Sequence, residues 1–365
     1  MHNPDNERIK RAYFIYLKEA RRLGEHSIDT AAAALARFEE YTKHRDFKRF
    51  HIQQAIGFKT QFSELVSPRT GQRLSRATVF STLSALRAFF QWLSTQPGYR
   101  SHLTSPDADY FALSDKEARI AKAIADLPVP TIDQIRQVLE TMPSSTDIEL
   151  RNRAVVAFTL LTGARDGAVA SLKRKHVDIV EGKVVQDARE VRTKFSKTFT
   201  TWFFPVGEDV RQIVVDWVQY LDTLQLFGPS DPLFPATVIV QDQYHLFQTG
   251  GLSRAHWSNA TPIRTIFKEA FSNAGLAYAN PHSFRKTLAQ LGERLCRTPE
   301  EFKAWSQNLG HEQVLTTFSS YGQVGPHRQA ELIRHLADRR ETGAPRLEAI
   351  DRMIRILEEG RHALE

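Results

Sequence analysis

The stretch Pro281-His282-Ser283-Phe284-Arg285, followed by Leu309-Gly310-His311 and then Tyr321-Gly322, organises the reading of the chain. Residues three apart share a helix face, so His282 and Arg285 present an imidazole and a guanidinium to one side of a helix. Arg285 offers a planar fork of donors that fits a phosphate or carboxylate. His282 can donate to such an anion or move a proton near neutral pH. Alone, that spacing describes many amphipathic helix surfaces. The company it keeps is more informative. Leu309-Gly310-His311 reads as a tight turn at a helix end with a second imidazole at its exit. Upstream, Leu161-Thr162-Gly163-Ala164-Arg165 places another arginine where an apolar helix, 154–161, breaks at Gly163.

Taken in order, Arg165, His282-x-x-Arg285, Leu-Gly-His311 and Tyr321 resemble the tyrosine recombinase, or phage integrase, family, over most of the chain up to Tyr321. The resemblance implies a mainly α fold with a small antiparallel β-sheet. A helical N-terminal core-binding (SAM-like) domain would precede an α+β catalytic domain, the two closing on a duplex as a clamp. It also implies a catalytic set of Arg165, Lys194, His282, Arg285, His311 and Tyr321. Within Arg192–Thr198, which matches the family's lysine-bearing hairpin, Lys194 is preferred to Lys197. The implied reaction is cleavage and rejoining of double-stranded DNA at specific recombination sites through a covalent 3′-phosphotyrosine, with no cofactor, metal or ATP. The implied partners are that DNA, further copies of the chain in a tetramer, and a DNA-bending accessory protein.

Three departures from the family pattern stand out. The acidic residue common three places after the first arginine is Ala168 here, with Asp166 as a stand-in partner for a cation. Tyr321 lies ten residues after His311 where nine is common, and the hairpin is longer. None removes a group that does chemistry. Two other readings share these residues: a DNA-binding regulator that has lost catalysis, and a type IB topoisomerase-like enzyme that nicks and reseals without exchanging partners.

The chemistry agrees with the resemblance. Phosphoryl transfer gathers charge on nonbridging oxygens, which two arginines can hold by charge-assisted bonds. A phenol with a pKa of about 10 needs a base as it attacks, and His282 is the nearest candidate. The leaving 5′-oxygen needs a proton, which a lysine depressed by neighbouring cations can supply.

Composition sets outer bounds. A chain of 365 residues suggests two domains. Charged residues make up 25% and no apolar run is long enough to span a bilayer. The single cysteine, Cys296, cannot form an internal disulfide and reads as buried filler, in keeping with a reducing cytoplasm. No signal pattern and no extra arm-binding domain are expected ahead of the first helix. The net charge is +7, and residues 1–105 carry 17 Lys and Arg against 9 Asp and Glu. The basic excess therefore belongs to the N-terminal part, as phosphate neutralisation requires.

That part reads as four helices: 6–23, 31–42 capped by Asp29 or Thr30, 51–65, and 76–93 capped by Ser75. Arg69 and Arg73, in the turn-rich loop 67–73, and Arg76 are candidate DNA contacts. Domain bounds are set at 1–105, a linker at 106–130 marked by Pro106, Pro128 and Pro130, a catalytic domain at 131–325 and a helical tail at 326–365. In the catalytic part, helices are expected at 132–141, 149–161, 208–227, 262–274 and 282–296, and after the Thr298 capping box. Strands are expected at 177–180, 183–186, 190–194 and 198–205, and a loop at 247–257.

Overall fold

The computed structural model describes residues 3–68, 71–122, 129–241 and 247–311. The chain falls into two compact units, Met1–Ala125 and Asp126–Glu365.

In the first unit, Asn3 caps α1 (Pro4–Ile15), which runs into a π-helical turn at Tyr16–Ala20. Helix α2 (Glu25–Tyr41) starts at Gly24 without a side-chain cap, ahead of the expected Asp29–Thr30 start. Glu25 in its first turn lies at the positive end of the helix dipole. Helix α3 (Ile52–Glu64) is capped by His51, and α4 (Arg76–Leu93) by Ser75, whose Oγ accepts the Thr78 N–H at 3.1 Å. The core is aromatic. Phe58, Phe90 and Phe111 set their rings edge-on to Phe38 at 5.3–5.4 Å between centroids, the geometry that ring quadrupoles favour.

Phe111 corrects the expected linker. It and Ala108 are buried in this core on a 3₁₀ stretch, Ser105–Phe111, after which comes α5 (Asp115–Lys122). The Pro106 read as a breaker is instead a helix start. Asp107 accepts the Thr104 N–H at 2.7 Å, and a proline in the first turn loses no bond.

In the second unit α6 (Ile132–Thr141), capped by Thr131, and α9 (Glu208–Thr223) pack against α7 (Asp147–Thr162). All of Ala154–Thr162 is buried, so α7 is the central helix. It ends at Gly163 in the left-handed region, φ 60°, ahead of the short α8 (Asp166–Val169). Strands β1 (Val177–Asp178), β2 (Lys183–Gln186) and β3 (Phe199–Trp202) form an antiparallel sheet in that order. Val184 faces Val177 on one side and Thr201 on the other.

Two readings fail here. Glu190–Lys194 is not a strand; it leads into a 3₁₀ turn, Lys194–Ser196, because its polar groups bond to residues 171–176 instead of to a neighbouring strand. The segment read as a loop contributes β5 (Phe247–Leu252), which pairs with β4 (Thr237–Gln241) in an exposed ribbon. Helices α10 (Thr261–Asn273), α11 (Pro281–Leu295) and α12 (Pro299–Asn308) complete the described part. Cys296 follows α11 half-exposed, so it is not buried filler. Among the described residues no helix is long and apolar enough to cross a membrane.

Helices α11 and α12 meet at a glycine. A Cβ on Gly292 would lie 2.6 Å from Nε1 of Trp305, the atom that donates to the Leu288 carbonyl at 3.0 Å. Gly292→Ala is therefore expected to destabilise the second unit by about 1–3 kcal/mol through overpacking, measured as a lower midpoint in urea unfolding.

Candidate active site

Arg285 is the centre of the site and is nearly inaccessible, at 5% exposure. Its Nη1 donates to the Gly163 carbonyl at 2.5 Å, and its Nη2 to the Leu309 carbonyl at 2.6 Å. Both carbonyls belong to helix C-caps, of α7 and α12. Nη2 also lies 2.8 Å from Nε2 of His311. A guanidinium has no acceptor, so Nε2 accepts and the imidazole proton sits on Nδ1.

Gly310 bends the chain between Leu309 and His311 at φ 70°. A Cβ there would lie 2.7 Å from the ring of Phe199, at the start of β3. Asn308 locks the same turn to that strand. Its Oδ1 accepts the Trp202 N–H at 2.7 Å, its Nδ2 donates to the Trp202 carbonyl at 2.9 Å, and its own carbonyl accepts from Thr201 Oγ1 at 3.1 Å. The side-chain amide thus pairs with β3 as another strand would.

Arg165 sits at the N-cap of α8, half-buried. Its side chain makes no hydrogen bond or ion pair among the described residues. Burial lowers its proton affinity. Arg285 is lowered further, by burial first and Arg165 second. His282, more exposed on the first turn of α11, is lowered by desolvation, then by Arg285, Arg165 and Lys286, with Asp166 opposing. His311 is pushed down to about 4 by burial, then by Arg285, Arg165, His282 and Lys194. These groups form one mutually repelling set, an arrangement that an anion would stabilise. Asp166 offsets it only in part: its carboxylate does partner a cation, but that cation is Arg264, whose Nε donates to it at 2.8 Å.

Of the residues singled out from the sequence, Arg165, His282, Arg285 and His311 therefore come together. Lys194 is exposed at the start of its turn, with its charge felt at His311, while Lys197 closes the turn. Tyr321 lies outside the described residues, as do the tail 326–365 and Arg69. In the first unit Arg73 pairs with Glu64 at 2.5 Å, both exposed, and Arg76 opens α4 on the surface. Sequence reasoning missed Asn308, whose partners lie more than a hundred positions away, and the carboxylate of Glu190, described below.

Comparison with known proteins bears on the family and the fold. Residues 129–328 match the phage integrase family, and residues 11–96 match the phage integrase N-terminal SAM-like domain. Tyrosine recombinase XerC of Halalkalibacterium halodurans is 22% identical over 331 residues, covering 90% of this chain and 97% of that protein. XerC of Pseudomonas putida is 22% identical over 340 residues, covering 93% and 97%. Among solved structures, a lambda integrase dimer bound to a COC′ core site is similar with a TM-score of 0.58 at 14% identity, over 89% of this chain and 83% of that one. The Tn1549 transposon integrase in complex with transposon right end DNA gives 0.53 at 13% identity, over 90% and 99%. At such identities the structural likeness speaks for the fold.

The depressed proton affinity of His311 has a definite sign. Protonation is disfavoured in the folded chain, so its contribution to stability is complete above the unfolded value of 6.5 and is lost as pH falls toward 4. In an NMR titration the His311 ring is expected to stay neutral, protonated on Nδ1, until pH approaches about 4. His311→Gln should flatten the fall in unfolding free energy between pH 6.5 and 4.

Proposed function

The chain belongs to the phage integrase family of tyrosine recombinases, and we propose that it cuts and rejoins double-stranded DNA at specific sites through Tyr321. The observation that carries this reading is the pair Arg165 and Arg285, held beside two imidazoles with no carboxylate bonded to either guanidinium among the described residues. A phosphodiester is the anion that such a set accommodates. In this reading Arg165 and Arg285 hold the nonbridging oxygens, where charge grows in the transition state. His311 contributes a further donor once its imidazole exchanges its proton or turns, since its Nε2 now accepts from Arg285.

The phenol oxygen of Tyr321 forms a bond to phosphorus as the bond from phosphorus to O5′ breaks. The phenol proton passes to His282, whose lowered proton affinity keeps it neutral and able to accept. The proton needed by O5′ comes from Lys194. The phosphotyrosine conserves the energy of the broken bond, so attack by a 5′-hydroxyl of another strand reverses the step with no cofactor. Exchange between two duplexes requires two sites on each, which we assign to a tetramer assembled on DNA, with an accessory protein bending the sites. The substrate being cellular DNA, the cytoplasm is the inferred setting. The exposed Arg73 and Arg76 are proposed to meet backbone phosphates, as is Arg69.

A nicked suicide duplex carrying the recombination site is expected to trap the wild-type chain covalently, and sequencing trapped DNA identifies that site. Tyr321→Phe should bind the same duplex without being trapped; equal trapping would place the nucleophile elsewhere. Arg285→Ala should slow single-turnover cleavage on the order of 100- to 1000-fold. Relaxation of a supercoiled circle lacking the site would favour the nicking and resealing alternative instead.

A further inference from the structure

The backbone just ahead of Lys194 is tied down at three successive residues. The Glu190 carboxylate receives Lys173 Nζ at 3.3 Å, Lys175 Nζ at 2.9 Å and His176 Nε2 at 2.8 Å. His176 is buried, and its Nδ1 accepts the Lys173 backbone N–H at 3.0 Å, so the proton it carries is on Nε2 and aimed at Glu190. Val191 is buried in the core of the unit. The Arg192 N–H donates to Ser171 Oγ at 2.8 Å, and its guanidinium donates to the carbonyls of Ser258 at 2.7 Å and Trp257 at 3.0 Å. Thr193 alone separates this anchorage from the turn that Lys194 begins.

The anchorage points at the site already described. Ser171 Oγ, which accepts from Arg192, lies 3.1 Å from the carbonyls of Gly167 and Ala168, both within the single turn of α8, and donates to them in turn. Arg165 caps that helix. Hydrogen bonds therefore run from α8, the helix that follows Arg165, through Ser171 to Arg192, two residues ahead of Lys194. A stability brace alone would not need to join these two segments. Arg165 binds the phosphate in the proposed reaction and Lys194 protonates the oxygen leaving it, so the distance between them is the quantity that matters. A displacement of about 1 Å at such a place costs on the order of 100-fold in rate.

We propose that Glu190 and Arg192 are positioning residues that set Lys194 against the Arg165–Arg285 anion site. This rests on the reading of Lys194 as the proton donor to O5′. Neither residue touches the DNA phosphate; both act through the lysine.

The test uses the full chain and nicked duplexes carrying the site recovered from trapped wild-type protein. One duplex has oxygen and the other sulfur at the 5′-bridging position of the scissile bond. A thiol has a pKa of about 8.5, far below an alcohol's, so a 5′-thiolate leaves without being protonated. Glu190→Gln and Arg192→Lys should each lower single-turnover cleavage of the oxygen substrate about 10- to 100-fold and leave the sulfur substrate within about threefold of wild type. Equal losses on both substrates would mean a brace with no bearing on the lysine and would overturn the proposal, as would no loss on either. Lys194→Ala is the reference. If it shows no split between substrates, the assignment of the lysine has failed; if it splits and the two variants do not, only the positioning role has failed.

Discussion

One buried cation, the guanidinium of Arg285, fixes the geometry of the second unit's site, and the way its charge is met decides what the site can do. Its two primary partners are carbonyls, of Gly163 and Leu309, each at the C-cap of a helix. Helix ends leave carbonyls without internal partners and carry about half a negative charge. Two such ends relieve the desolvation of a guanidinium without cancelling it. A carboxylate in the same place would have formed a closed ion pair and left nothing for a phosphate to gain.

The contrast with other arginines in the unit is informative. Arg136 bonds Asp209, Arg174 bonds Asp222, Arg254 bonds Asp231 and Arg264 bonds Asp166. Those pairs sit at least partly in solvent and contribute little beyond local order. Arg285 is more deeply buried than any of them and has no acid. Arg151, the other buried arginine among the described residues of the unit, likewise has no acid and donates to the Pro235 carbonyl, Thr237 Oγ1 and Asn152 Oδ1, but of these two only Arg285 lies beside a second guanidinium and an imidazole. Asp166 follows Arg165 directly, yet its oxygen is committed to Arg264.

Much of this was legible in the sequence, for reasons that differ by residue. The spacing of His282 and Arg285 survives because a helix converts three positions into one face, and Thr131, Thr298 and Ser75 mark their helices through local capping bonds. Gly163 and Gly310 announce helix ends because the left-handed region suits glycine. What escaped was either distant or atypical in pattern. Asn308 reads as an ordinary last residue of a helix until β3 is beside it. Glu190 and Arg192 were assigned to a strand within a stretch rich in Val, Phe, Thr and Trp, yet the Glu190 carboxylate bonds to residues 173–176 and Arg192 to Ser171, Trp257 and Ser258. The ribbon of β4 and β5 was missed in part because Ile239, Val240 and Phe247 are all exposed, so no alternation between a buried and a solvent face marks it.

Strand β3 explains why so small a sheet belongs in a helical unit. Phe199 sets the approach of Gly310, and Thr201 and Trp202 hold Asn308, so the strand positions the turn bearing His311. The same strand begins just after the turn of Lys194–Ser196, and through β2 its register is fixed at four residue pairs. A lysine turn and a histidine turn, more than a hundred positions apart in sequence, are thereby referred to one rigid edge. Helices alone could fix each group relative to its own axis, but a strand shared by both turns fixes them relative to each other. For two groups proposed to meet around one phosphorus atom, that relative placement is the constraint that counts.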